Sequence, residues 1–150
     1  MIARPLVSRR GVRIVAWTWL GLYVVLLLVL THIPKPPAVF DGRDDKTLHF
    51  LAYFALGGLS YFAAAITFPL RLGLSLIVVL GCAVFAALDE ITQPSFGRSA
   101  DVFDWRADVF GVIAGVCVLR ILRALISRTG KTKGEAASTT SDAMDQDAQR

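Results

Sequence analysis

Between Leu48 and Leu88 the chain runs for 41 residues with a single charge, Arg71. No soluble core can conceal such a stretch. As one helix it would reach about 62 Å, roughly twice the hydrocarbon thickness of a bilayer. It must therefore turn back on itself, and Pro69 with Arg71 near its middle supply the turn. Two further runs accompany it. Ile14–Thr31 is 18 residues without a charge, and Val109–Leu119 continues through Ile126 with Arg120 and Arg123 as its only charges. The whole chain is 55% hydrophobic and 19% charged, against about 45–50% and about 25% in soluble domains. Collagen, disorder throughout and a disulfide scaffold are excluded.

These runs predict four spans, near 13–31, 47–68, 72–91 and 105–126, in an all-α integral membrane bundle of four transmembrane helices. The bundle occupies residues 1–128. Residues 129–150 are rich in Ser, Thr, Ala, Asp and Gln, carry no periodic apolar face, and read as a disordered polar tail. Arg4, Arg9, Arg10 and Arg13 precede the first span, and Arg120, Arg123, Arg128, Lys131 and Lys133 close the last. An even number of spans puts both termini on one side, and these basic flanks assign that side to the cytoplasm. The first span reads as uncleaved, because its apolar run exceeds a signal core and no small-x-small site follows. The net charge of +4 comes without any readout motif, so nucleic acid is not an expected partner. Cys82 and Cys117 lie inside spans and read as packing residues rather than a disulfide. Gly111-x-x-x-Gly115 is a small-residue pair suited to close helix packing within the chain, and the oligomeric state stays open.

The scarce polar residues are more informative than the apolar majority. Lys46, His49 and Tyr53 follow i, i+3, i+7 spacing and share one face of span two, just after Asp45. Asp89 and Glu90 close span three, with Gln93 one turn later and Pro94 beyond it. Asp101, Asp104 and Asp108 repeat the same spacing into span four. The topology gathers all three sets, with Arg98, at the outer end of the bundle. Ionisable groups at membrane depth cost about 2.5–3.5 kcal/mol each at a helix centre, so a functional site is the default reading. The alternative is structural: Lys46, Arg98 and Arg106 pair with these acids and tie the outer loops together.

As a site, the carboxylates offer oxygens for a hard cation, His49 offers a general base, and Arg98 offers a fork for phosphate or carboxylate. His32 reads as an interfacial cap. No nucleophile elbow, zinc-ligand spacing, P-loop or dinucleotide fingerprint is present. No cofactor or resident metal is therefore expected, and whether the protein is an enzyme stays open.

The ordered set Asp45-Lys46-x-x-His49-x-x-x-Tyr53, Asp89-Glu90-x-x-Gln93, Gly97-Arg98 and Asp104-x-x-x-Asp108-x-x-Gly111-x-x-x-Gly115 resembles the VanZ-like membrane proteins. The likeness covers roughly residues 14–126. It departs at Asp108, where the family pattern usually has Asn. The resemblance implies a bacterial inner-membrane protein of the cell envelope. Its name-giving member is associated with resistance to the glycopeptide teicoplanin, and no reaction is implied. Three readings follow: binding of an anionic lipid or lipid-linked cell-wall precursor at the outer cluster, a small intramembrane enzyme acting on a lipid-linked phosphate or sugar, or a purely structural ion network.

Overall fold

Asp44 begins the second helix by accepting the Thr47 N–H on its side chain, a standard N-cap, and Asp45 adds a favourable charge in the first turn. Such caps set the element borders. In the computed structural model, which describes residues 9–33, 44–69 and 72–148, helix α1 covers Arg9–His32, α2 Asp45–Thr67, α3 Leu72–Thr92 and α4 Val102–Ala148. Of Leu72 and residues 129–148 only the backbone is described. A 3-10 turn, Gln93–Phe96, follows α3. No strand forms among the described residues.

All four helices contain a segment long and apolar enough to cross a membrane, which makes this a multi-pass membrane protein. Helices are what the sequence must adopt there, because lipid offers nothing to an unpaired backbone group. The borders differ from the expected ones for local reasons. Helix α2 starts two residues before position 47 because Asp44 caps it. Helix α4 starts three before position 105 because Asp101 accepts the Phe103 N–H at 2.8 Å. Helix α1 starts at Arg9, ahead of position 13, since its basic first turn stays helical beyond the apolar run.

Hydrogen bonds at both ends show the helices alternating in direction. Arg13 Nε donates to the Ile66 carbonyl and Trp17 Nε1 to Thr67 Oγ1, both at 3.0 Å, joining the start of α1 to the end of α2. At the other end, Thr31 Oγ1 donates to Asp89 Oδ1, joining the ends of α1 and α3. Helix α2 is the most buried of the four and forms the centre. His49, Tyr53, Leu56, Gly57, Tyr61 and Ala64 make a continuous inward stripe on it. The large apolar side chains of α1, Trp19, Leu22, Val25, Leu26 and Val29 among them, face outward, as a lipid-facing helix requires.

Gly111 and Gly115 bring the α4 backbone against α2. A Cβ at Gly111 would overlap the Phe50 carbonyl oxygen, and one at Gly115 the Phe54 carbonyl oxygen. Gly57 meets Val112 in the same way from the other side. This contact lies inside the chain. Cys82 is buried, its Sγ 3.7 Å from Ser60 Oγ, whereas Cys117 is exposed, and both are free thiols. Packing therefore accounts for Cys82 but not for Cys117.

The chain divides into two compact units, Met1–Cys117 and Val118–Arg150. In the second, Ile121, Leu122, Leu125 and Ile126 are exposed. The tail expected to be disordered, 129–150, falls outside the residues with described side chains, and so do Lys131 and Lys133. Arg4 and Arg71 also lie outside the described residues.

Candidate functional site

Gly111 and Gly115 position the site as much as its polar residues do. Asp108 sits one turn before Gly111, and His49 one residue before Phe50, so the close α2–α4 approach presses their side chains together. His49 Nδ1 lies 2.9 Å from Asp108 Oδ1, and both residues are buried. Tyr53, one turn further along α2, donates its hydroxyl to Asp89 Oδ2 at 2.9 Å. Glu90 accepts the Asp101 N–H on Oε1 and the Gln93 side-chain amide on Oε2, the latter at 3.2 Å. The structure thus brings Asp45, Lys46, His49, Tyr53, Asp89, Glu90, Gln93, Arg98, Asp101, Asp104 and Asp108 to one end of the bundle.

The turn that carries Arg98 depends on its neighbours. Pro94 sits in the first turn of the 3-10 segment, and Gly97 closes it at φ +80°, a left-handed conformation that favours glycine. Arg98 Nη2 then reaches Asp45 Oδ2 at 3.0 Å. Lys46 Nζ bridges Asp101 Oδ2 at 3.2 Å and Asp104 Oδ1 at 3.1 Å. These pairs form a partly exposed rim tying the first turn of α2 to the first turn of α4 and to the segment before it. Asp101 belongs to that segment and not to the helix proper. The Phe103 N–H, and then Lys46, hold its carboxyl below the usual carboxylate range against partial desolvation. Arg106 stands apart from the rim, its guanidinium 5.7 Å from the Phe103 ring centroid.

Beneath the rim the carboxylates have unequal partners. Asp89 is satisfied on both oxygens, by Thr31 on Oδ1 and Tyr53 on Oδ2. Asp108 is not. Its Oδ2 is the one buried side-chain polar atom without a hydrogen-bond partner among the described residues. Besides the capping Asp44, the carboxylates of Asp45, Asp89, Glu90, Asp101, Asp104 and Asp108 lie at this end with the cations Lys46 and Arg98. The chemistry available is cation binding within and phosphate binding at Arg98. The His49 ring is held through Nδ1 by the Asp108 carboxylate, which fixes its orientation between α2 and α4.

Sequence reasoning missed what α1 contributes. Thr31 is buried against Asp89, and His32 Nδ1 lies 2.8 Å from the Leu28 carbonyl and 3.5 Å from Asp89 Oδ1. His32 Nε2 reaches Thr92 Oγ1 at 3.0 Å, and the ring meets Phe96 edge-on. His32 is thus a bridge between α1 and the end of α3. The only available signal was that Thr31-His32 ends its apolar run at the same level as Asp45 and Asp89. A scan against protein-family models, a search of curated proteins and a search of solved structures each return no match to this chain.

Proposed function

We propose that this is a VanZ-like protein of the bacterial inner membrane, with both termini in the cytoplasm. In this reading its polar end lies at the outer face and binds a phosphate-bearing envelope lipid or lipid-linked cell-wall precursor. Arg98 carries the proposal. A guanidinium has five N–H donors, and the Arg98 hydrogen bond uses one of them, toward the half-exposed Asp45. The remaining donors suit a phosphate arriving along the membrane surface. The acids of the rim, Asp45 and Asp101, favour a headgroup that carries an amine beside its phosphate.

Native mass spectrometry of detergent-purified protein tests this with phosphatidylethanolamine, phosphatidylglycerol and undecaprenyl phosphate as probes. Wild type should retain one lipid, and Arg98→Ala should lose roughly tenfold or more in retention, as expected for a charge-assisted bond of about 1.5–3 kcal/mol. Equal retention by the two proteins overturns the reading. Orientation has its own test: Ser99→Cys should react with an impermeant maleimide from outside intact cells, and Thr132→Cys only after lysis. The His49–Asp108 pair favours a second reading, acid–base catalysis on a lipid-linked phosphate. That reading requires turnover that collapses in His49→Ala while the protein stays folded.

A further inference from the structure

We propose that His49, Glu90 and Asp108 form a binding site for one divalent transition cation such as Zn²⁺ or Mn²⁺, buried beneath the rim. One ring nitrogen of His49 and one carboxylate oxygen from each of Glu90 and Asp108 lie within 4.8 Å of one another. Zn²⁺ ligands with bonds of about 2.0–2.2 Å stand at most about 4.4 Å apart, so the three donors need to close by no more than a few tenths of an ångström around a single ion. His49 Nδ1 and Asp108 Oδ1, at 2.9 Å, are separated by the length of one edge of such a coordination shell.

A group of acids alone is no site. The independent observation is Asp108 Oδ2, fully buried and the one buried side-chain polar atom without a partner among the described residues. An unpaired carboxylate oxygen at such depth is expensive, and an ion removes that expense. Charge balance points the same way. Lys46 neutralises within the Asp101–Asp104 pair, Arg98 meets Asp45, and two hydroxyls hold Asp89. The acids at this end outnumber Lys46 and Arg98, and Glu90 and Asp108 form no ion pair with either cation, so a dication beside the His49 ring would offset part of that excess.

The surroundings are those of a ligating carboxylate. Glu90 is held by the Asp101 N–H and the Gln93 amide, and each oxygen keeps a lone pair for a metal. An imidazole beside two carboxylates selects Zn²⁺ or Mn²⁺ over Mg²⁺ or Ca²⁺. A neighbouring group, Asp45, His49 and Asp104, shares the histidine, but Asp45 is exposed and Asp104 is already paired with Lys46. The buried group is the better host.

The inference goes beyond the lipid reading and stands without it. Full-length protein in detergent, stripped with EDTA, is titrated calorimetrically with ZnCl₂, MnCl₂ and MgCl₂, and with CoCl₂ while the visible d–d bands are recorded. Wild type should bind one Zn²⁺ or Mn²⁺ per chain and bind Mg²⁺ at least tenfold more weakly. His49→Ala, Glu90→Gln and Asp108→Asn should each weaken Zn²⁺ binding by about a hundredfold or more and remove the Co²⁺ bands. Asp108→Asn should remain folded, since the amide fills the same volume and can donate toward Glu90; if it does not, Glu90→Gln carries the same test. Arg98→Ala should retain full metal affinity, so failure of lipid binding and failure of metal binding are read separately. Absence of saturable Zn²⁺ and Mn²⁺ binding in wild type overturns the proposal, with a proton shared by Glu90 and Asp108 in the ion's place. So do unchanged binding in Asp108→Asn, loss only in Asp104→Asn, and Mg²⁺ binding as tight as Zn²⁺.

Discussion

The two ends of the bundle solve the same problem with opposite chemistry. Where α1 begins and α2 ends, Arg13 donates to a backbone carbonyl and Trp17 to the Thr67 hydroxyl, both exposed, and no carboxylate takes part. Where α1 ends and α2 begins, Asp89, Glu90, Asp104 and Asp108 of α3 and α4 are buried and held by side chains from α1, α2 and the 3-10 turn. Helix pairing alone needs only the first arrangement. The second costs desolvation that a purely mechanical joint would avoid, which is the physical reason for placing function there. Its acids differ among themselves as well. Asp89 is a satisfied structural hub, Asp45, Asp101 and Asp104 form rim pairs, and Glu90 with Asp108 is left with an unbalanced interior.

The largest effect should come from opening the contact that walls the polar end. Gly115→Leu forces a side chain into the Phe54 carbonyl, a backbone atom that cannot step aside. It should cost about 3 kcal/mol or more. Thermal unfolding in detergent should fall by many degrees, and Gly21→Leu, where a Cβ meets open space, should be near neutral. Comparable losses at both positions would mean that helix propensity, not the α2–α4 approach, governs the bundle.

Next in size is Tyr53→Phe. It leaves Asp89 Oδ2 buried without its donor and should cost about 2 kcal/mol, as for other hydrogen bonds to charged groups. The matching change at the opposite end, Trp17→Phe, removes an exposed bond to Thr67 and should cost about 0.5 kcal/mol or less. If the two losses were equal, the contrast between the ends would not be one of buried against exposed polarity.

Much of this was legible in the chain itself. Three apolar runs, the longest divided at Pro69 and Arg71, outlined the four spans. The i, i+3, i+7 spacing of Lys46, His49 and Tyr53 placed His49 and Tyr53 on the inner stripe of α2. What escaped was pairing. Whether Lys46 meets Asp89 or Asp104, the latter 58 residues away, depends on how helices rotate about their axes, which a glycine pair sets through its contacts with the Phe50 and Phe54 carbonyls. Thr31 and His32 escaped because a hydroxyl and an imidazole ending an apolar run look like a helix cap until their distant partner is in view. Asp101 read as the first member of a helical stripe, yet its side chain closes the helix start, and only Asp104 and Asp108 turn inward.

Asp108→Asn sharpens the comparison from within the polar end. In metal-free protein the amide removes a buried charge and gives the orphaned oxygen's position a donor, so the variant should be about 1 kcal/mol more stable than wild type. Added Zn²⁺ should reverse the order, stabilising wild type alone. Chemical denaturation with and without Zn²⁺ reads both signs, and a variant less stable than wild type in EDTA would show that Asp108 Oδ2 is not a burden to the fold.

The smallest effect belongs to Asp101, where the rim meets water. Its carboxyl is held below the usual range by the Phe103 N–H and by Lys46, so the folded state favours the ionised form. A depressed folded value contributes stability that is present above the unfolded pKa, about 3.9, and is lost as pH falls through the folded value. Melting temperature should therefore decline below about pH 4. Asp101→Asn cannot ionise, so its melting temperature should lie slightly below wild type at neutral pH and converge with it in acid. Divergence on acidification, with the variant falling faster, would reverse the sign and place the acid-sensitive group among the buried carboxylates instead. Because Lys46 also meets Asp104, the loss at neutral pH should be partial, and smaller than that of Lys46→Met, which strips both acids of their cation at once.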